Sequence, residues 1–495
     1  MSAAVSHPLF AGPRDAGAVP VPAAELLTVA REYVEAGRLA AAERLLAHVL
    51  ATLPDHAEAL HLRGFVAFRQ GFTQQAVTFM ERALAAGAGT PRQLCNLAEA
   101  YRVLGRTDEG LRLVRRAAAL APTDAVCHLN EAMLHYDRQE LDLCIGAARR
   151  AISLRHDMAE AHMRLGQALL LTGAYREGWE EYEWRYGIAG AQPLMPPAFK
   201  AAFDRPQWDG EFLGPGQRLL LIADQGFGDV LMFARYLPWA MARCGDIVVA
   251  GSEEVIALLA RVFPGPRYHT RWDDLGDHAC HCPLSGLPRL AGTMAQAMPE
   301  AAPYLTAEPV LRRRMLEWLR ARTPGEGLRV GVAWAGRPTH SNDRSRSVRL
   351  EQLAPLFDLP GASFVSLQKG AASAQLAGGV GQAEIHDAGG LLHSFEDTVA
   401  LIDCLDLVVA VDTSVVHAAG ALGKPAWVML PYAPDWRWLA GRPDTAWYPT
   451  LRLYRQPRPG DWKSVISLLA EDLGELAVRQ PGPSSARMAF LTSSG

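Results

Sequence analysis

At 495 residues the chain is too long for one hydrophobic core and is expected to form about three domains of ~150 residues each. Hydrophobic residues make up 49% and charged residues 21%, which places it among ordinary soluble globular proteins. Lys and Arg number 49 against 53 Asp and Glu, so a net charge of -4 offers no general field for nucleic acid or anionic lipid, although local basic clusters can still hold phosphate. The 7 cysteines are scattered, which argues against a disulfide scaffold and for a reducing cytosol. The N-terminus has no basic segment followed by an apolar core, and no run of about 18 apolar residues occurs, so a cytoplasmic protein without a membrane span is expected.

Residues 1–22 are rich in Ala, Gly and Pro without periodicity and read as a flexible arm. From Ala23 the chain repeats. Pro54 and Pro122, like Tyr33 and Tyr101, are separated by twice the ~34-residue period of tetratricopeptide units. Gly37, Gly71, Gly105 and Gly173 keep the same phase, each where a helix–turn–helix unit needs a residue of positive φ. Small residues at Ala42, Ala76, Ala83, Gly110 and Ala117 allow paired helices to approach closely. Four to five repeats are thus expected over 23–186, with a concave surface for a peptide or protein. The last unit departs from the pattern through Trp179, Tyr182, Trp184 and Tyr186. A terminal repeat must cover its open face or dock on something, and docking on the following domain is the preferred use of those rings. A Pro- and Gly-rich connector follows over 187–216, expected to pack through Phe199, Phe203, Trp208 and Phe212.

The stretch LLLIADQGFGDVLMFARYLP (Leu219 to Pro238) places a short apolar run before a Gly-rich turn and a helix, with Asp229 at the helix start. Open α/β sheets bind ligands at the carboxyl ends of such strands. Two uses of the turn are open. Gly226 and Gly228 leave backbone N–H groups accessible to a ligand, or they permit a tight turn while Asp229 caps the helix. Apolar runs alternating with helical segments continue through DIVVAG (Asp246 to Gly251), RVGVAWAG (Arg329 to Gly336), SFVSLQKG (Ser363 to Gly370), DLVVAVDTS (Asp406 to Ser414) and PAWVML (Pro425 to Leu430). Two Rossmann-like halves, 217–325 and 326–475, are predicted, facing each other in a GT-B arrangement, with a tail at 476–495. The fold class is therefore α + α/β.

Cys280, His281 and Cys282, with His278 nearby, lack the spacing and the second ligand pair of a zinc site, so a loop with buried thiols is expected. No exposed Asp-x-Asp loop follows an apolar strand, which points to metal-independent chemistry. Phosphate-type signals gather in the second half. Asp412, Thr413 and Ser414 end a buried strand and open a helix, where hydroxyls and free N–H groups converge at a positive helix end. His417 lies one turn further, near the same mouth, open to contact with a phosphate or ribose or to a role as a satisfied histidine on a capped helix, and Ala418, Ala419, Gly420 and Ala421 let that helix pack tightly. Arg337, His340, Asp343, Arg344 and Arg346 follow Trp334 on a polar loop, and Lys369 ends another strand. Basic groups recurring at several strand ends collect positive charge for a diphosphate. Asp435 to Leu439 and Trp447 to Gln456, rich in Trp, Tyr and Arg, are open to core packing or ligand contact, with packing favoured.

Taken together, QGFGD, FARYLP, WAG-P-H-NDR-RS, SLQKG, LDLVVAVDTSVVHAAGALGKP, DWRW and WYP-LRL-RQ resemble bacterial tetratricopeptide-containing glycosyltransferases related to glycosyltransferase family 9, the heptosyltransferases. The plan of helical repeats before a GT-B region is similar to that of protein O-GlcNAc transferase. The resemblance implies a nucleotide-sugar donor as substrate, with Asp229 as base. It also implies donor phosphates at Asp412, Thr413, Ser414 and Lys369. Ser414 stands where heptosyltransferases commonly have glycine, and they lack the repeats, so their lipopolysaccharide acceptor is not carried over. A protein acceptor is implied instead, flagellin being the one some repeat-containing members modify. The expected site comprises Asp229 with Gly226, Gly228, Trp334, Arg344, Arg346, Lys369, Asp412, Thr413, Ser414 and His417, and no metal. As a whole the opening turn is assigned to the acceptor side of the cleft. An inactive GT-B scaffold and a transferase acting on glycan or lipid are the competing readings.

Overall fold

The computed structural model describes residues 22–87, 89–188, 205–271, 275–294, 298, 302–323, 327–340, 342–380 and 384–478. The expected arm, most of the connector (with Phe199 and Phe203) and most of the tail lie outside the described residues. Contacts divide the chain into two compact units, Met1–Leu134 and His135–Gly495.

The first unit holds α1 (Ala23–Glu35), α2 (Leu39–Thr52), α3 (Ala57–Arg69), α4 (Thr73–Ala85), α5 (Pro91–Val103), α6 (Thr107–Leu120) and most of α7 (Ala125–Asp137). The second begins with α8 (Leu141–Leu154), α9 (Ala159–Thr172) and α10 (Tyr175–Tyr182). First helices of successive pairs start at Ala23, Ala57, Pro91, Ala125 and Ala159, a constant step of ~34 residues, so the described residues form a helical repeat array of five pairs. Pairing depends on the small residues: Ala42, Ala76, Ala83 and Ala117 are fully buried, and a Cβ on Gly110 would lie 2.8 Å from Leu134 Cδ2. Gly37, Gly71, Gly105 and Gly173 all have positive φ, between 70° and 86°. At the fourth equivalent turn Gln139 takes φ 58° without being glycine.

Two all-parallel sheets follow in the second unit. β1 (Arg218–Ile222), β2 (Asp246–Ala250), β3 (Arg267–His269) and β4 (Cys280–Pro283) are ordered β3-β2-β1-β4. Helices α11 (Phe227–Phe233), α12 (Leu237–Met241), α13 (Glu253–Val262) and α14 (Leu287–Leu290) accompany them. The larger sheet contains β5 (Leu328–Ala333), β6 (Ala362–Ser366), β7 (Ile385–Asp387), β8 (Leu407–Val411), β9 (Ala426–Leu430) and β10 (Leu451–Arg455), ordered β10-β9-β8-β5-β6-β7. Its helices are α15 (Pro309–Arg322), α16 (Asp343–Arg346), α17 (Ala354–Phe357), α18 (Phe395–Asp403), α19 (Ser414–Ala421) and α20 (Trp462–Val478). Every residue of β8 and β9 is buried, which is why these strands read as unbroken apolar runs rather than alternating ones.

Three expectations need correction. Cys280, His281 and Cys282 form β4, not a loop. Alternate strand residues face opposite sides, so these three neighbours cannot converge on one ion. The boundary near 325 is also displaced, because α15 packs on α18 of the larger sheet, with Arg314 Nη2 2.5 Å from Asp397 Oδ1 and Arg312 paired to Asp403. In the connector, Trp208 is buried against Trp239 at 5.4 Å, whereas Phe212 is 72% exposed.

Candidate active site

In each sheet the chain order reverses at one strand: β1 has β2 on one side and β4 on the other, and β5 has β6 and β8. Parallel sheets open a crevice at the carboxyl ends of such strands, since the flanking loops leave to opposite faces. The β1–α11 turn lies at one such end. The loop after β5 and the start of α19 lie at the other. The two ends meet directly: a Cβ on Gly228 would lie 2.6 Å from His417 Cδ2 and 3.3 Å from the Ser414 Cα. Gly228 is therefore corrected from a ligand-facing glycine to one that lets α11 approach α19.

Asp229 occupies the first turn of α11 and reaches back to its cap, where Gly226 N–H donates to Asp229 Oδ2 at 3.0 Å. Of the two uses left open for the turn, capping is the one observed, and the Gly226 N–H expected to face a ligand is taken. The other carboxylate oxygen, Oδ1, accepts from Arg437 Nη2. Arg437 is 7% exposed and its Nη1 donates to Asp435 Oδ1 at 2.5 Å, while Nη2 also lies 3.2 Å from Gln225 Oε1. Burial pushes the Asp229 carboxyl above its ordinary range, Arg437 pulls it back, and Asp435 adds to the rise. Gln225 holds this corner at φ 67°, a left-handed conformation that a non-glycine residue adopts at a cost of about 1–2 kcal/mol.

Across the contact, Asp412 follows β8 and Thr413 occupies the N-cap position of α19. Burial and the nearby Asp435 push the Asp412 carboxyl up to about 6, against the pull of Arg346. The Thr413 hydroxyl has no hydrogen-bond partner among the described residues. Ser414 is the first residue of the helix. On α16, Arg346 turns inward and pairs with Asp343 at 3.5 Å, whereas Arg344 is exposed. Lys369, also exposed, donates from Nζ to the carbonyls of Leu392 at 2.6 Å and Gly389 at 3.2 Å. Sequence expectations thus converge for Asp229, Asp412, Thr413, Ser414 and Arg346. They do not for Arg344.

Two more assignments are corrected. Trp334 is fully buried in the core of the larger sheet with Val332, Val348 and Leu350, because its side chain turns away from the strand end that its backbone occupies. His417 is 4% exposed rather than standing at a mouth. Its Nδ1 lies 3.1 Å from the Tyr448 hydroxyl, its ring packs against Trp438 at 5.3 Å, and burial with nearby Arg437 pushes it down to about 3, so it is neutral.

Several residues at this junction escaped sequence reasoning. In sequence Arg437 belongs to a Trp-, Tyr- and Arg-rich segment open to packing or ligand contact, with packing favoured. Arg235, 1% exposed, donates to the carbonyls of Trp447 at 2.9 Å and Met232 at 3.1 Å and lies over the Trp447, Tyr448 and Tyr304 rings, tying α11 to the loop before β10. Asp224, fully buried after β1, accepts from Ser285 Oγ at 2.5 Å and Tyr186 Oη at 3.0 Å. The last repeat helix also reaches the site. Trp179 and Tyr182 of α10 pack on Trp436 at 5.1 and 5.6 Å, and Trp179 meets Trp447 at 6.3 Å. Trp184 instead stacks on His162 at 4.0 Å, within its own repeat.

No protein-family model matches the chain. Protein FlbA of Caulobacter vibrioides is 26% identical over 515 residues, covering 91% of this chain and 84% of FlbA. Among solved structures, YrrB, described as a TPR protein with an unusual peptide-binding site, is 18% identical with a TM-score of 0.29, over 34% of this chain and 88% of its own. TTC0263, a thermophilic TPR protein in Thermus thermophilus, is 21% identical with a TM-score of 0.31, over 34% of this chain and 93% of its own.

Proposed function

We propose that the second unit is an inverting glycosyltransferase of GT-B type, moving a sugar from a nucleotide sugar to a hydroxyl of a protein acceptor recruited by the repeats. The observation that carries this reading is the meeting of α11 and α19 at the carboxyl ends of two parallel sheets, with Asp229 on one side and Thr413 and Ser414 on the other. The donor diphosphate takes the start of α19, where N–H groups, the free Thr413 hydroxyl and the helix dipole favour an anion. Arg346, after the adjacent strand β5, and Lys369, after β6 one strand further on, add positive charge. Asp229 accepts the proton of the acceptor hydroxyl as the hydroxyl oxygen bonds to the anomeric carbon. The bond from that carbon to phosphate breaks on the far side, and the electron pair leaves with the phosphate. General-base help of this kind contributes about 10²–10⁴-fold.

Asp229→Asn, in protein that melts as wild type does, is expected to lower sugar transfer by about 10²-fold or more. Undiminished transfer removes Asp229 from the role of base. One observation favours the second reading, a scaffold without catalysis: both Asp229 oxygens are already engaged, by Arg437 and by Gly226 N–H. Under that reading no nucleotide binds.

A further inference from the structure

The Asp229 carboxylate is gripped from a distant part of the chain. Arg437 sits in the short helical turn Trp436–Trp438, which Asp435 caps by accepting from Arg437 N–H at 3.1 Å. That turn is fixed by its neighbours. Trp436, fully buried, lies between Trp179 and Tyr182 of α10 and Trp447, and the Tyr182 hydroxyl is 3.4 Å from Gln225 Oε1, the atom that also accepts from Arg437. Ala440 N–H donates to the Leu171 carbonyl of α9 at 2.9 Å, and the Tyr136 hydroxyl to the Pro434 carbonyl at 3.4 Å, so repeat residues hold both ends of the segment.

We propose that Arg437 is the positioning residue for Asp229, and that the terminal repeat helix α10, by clamping Trp436, is part of the machinery that aims this carboxylate. One hydrogen bond from Gly226 N–H fixes only Oδ2 and leaves the carboxylate plane free to turn. The guanidinium on Oδ1 removes that freedom and supplies the opposite charge that a desolvated carboxylate requires. Asp435 works the other way. It anchors Arg437 but brings a second negative charge into the same enclosure. The other groups facing Asp229 are Asp224 in its own turn and Tyr182 from α10; Asp412 and the neutral His417, from the opposing half, lie near Arg437 rather than against the carboxylate. The repeats thereby serve the site's geometry as well as any acceptor, which is more than the glycosyl-transfer reading requires. The catalytic meaning of Asp229 rests on that reading. The grip on it does not.

The test is a carboxyl-carbon NMR titration of the full chain labelled at aspartate Cγ, with Asp229→Asn subtracted to assign the Asp229 resonance. Arg437→Gln is expected to raise the Asp229 midpoint by about 1–3 pH units, the usual effect of removing an adjacent opposite charge. Arg437→Lys is expected to restore most of the shift. Asp435→Asn, nearly isosteric and still able to accept from Arg437, is expected to lower the midpoint. Opposite signs for the two neutral variants cannot come from a loosened structure alone. An Arg437→Gln midpoint that stays or falls overturns the proposal. Should that variant not fold, Asp435→Asn decides, and a midpoint unchanged or raised overturns it. The titration uses no substrate, so failure of the glycosyl-transfer reading, seen as absent nucleotide binding, is a separate result.

Discussion

Replacing Gly228 by alanine drives a methyl group into the contact on which the two sheets converge. Its Cβ would lie 2.6 Å from His417 Cδ2 and 3.3 Å from the Ser414 Cα, well inside the ~3.5–4.0 Å at which carbons attract. Neither neighbour yields cheaply. The imidazole is enclosed by Trp438 and Tyr448, and the Ser414 atom is backbone at the start of α19. Overpacking of this kind costs about 1–3 kcal/mol, and the helix propensity of Ala over Gly returns at most ~1 kcal/mol. A net loss of about 1–2 kcal/mol is expected. Urea unfolding followed by tryptophan fluorescence reads the second unit selectively, because the first of the 12 tryptophans is Trp179. Gly146→Ala is the control: it lies inside α8, nothing stands within 4 Å of its added Cβ, and a gain of ~0.5–1 kcal/mol is expected there. If Gly228→Ala gains stability as Gly146→Ala does, α11 and α19 do not meet as described.

The Asp412 carboxyl, pushed up to about 6, binds a proton more tightly folded than unfolded, where aspartate titrates near ~3.9. Its cost is absent at low pH, grows as pH rises between those values and is complete above them, at about 3 kcal/mol. Asp412→Asn should therefore raise the urea midpoint at pH ~8 and leave it nearly unchanged at pH ~4; an equal gain at both contradicts the linkage. Gln139 pays for a left-handed turn that glycine fills at the other four equivalent positions, so Gln139→Gly should stabilise the second unit by about 0.5–1 kcal/mol in the same fluorescence assay.

The repeat phase was legible because it is written in local rules: glycine at each left-handed turn and alanine at each crowded helix contact. Gln139 escaped because nothing in its side chain announces a positive φ. Strands β1, β2, β5, β6, β8 and β9 were visible as apolar runs, since both faces of a parallel sheet are covered. Strand β4 was hidden behind Cys-His-Cys, β10 behind its Arg and Tyr residues, and β3 and β7 by being only three residues long. Within the site, Asp229, Asp412, Thr413 and Ser414 were findable because a strand end followed by a polar residue and a helix start is a local pattern. Arg437 was not, because its meaning lies in a carboxylate more than two hundred positions earlier in the chain. Gly228 and Trp334 were misread for the same reason. Their backbones stand at a ligand-facing edge, while packing decided where their side chains or missing Cβ would serve. The geometry also bears on truncation: a cut that removes α10 removes the clamp on Trp436.

The central claim, that the start of α19 receives a nucleoside diphosphate, is tested most directly by calorimetric titration of the full chain with UDP, GDP, ADP and CDP. One of these nucleotides is expected to bind, with affinity falling about tenfold or more in Lys369→Ala, as for loss of a charged hydrogen bond. Binding by none of the four would contradict the account and leave the second unit a scaffold.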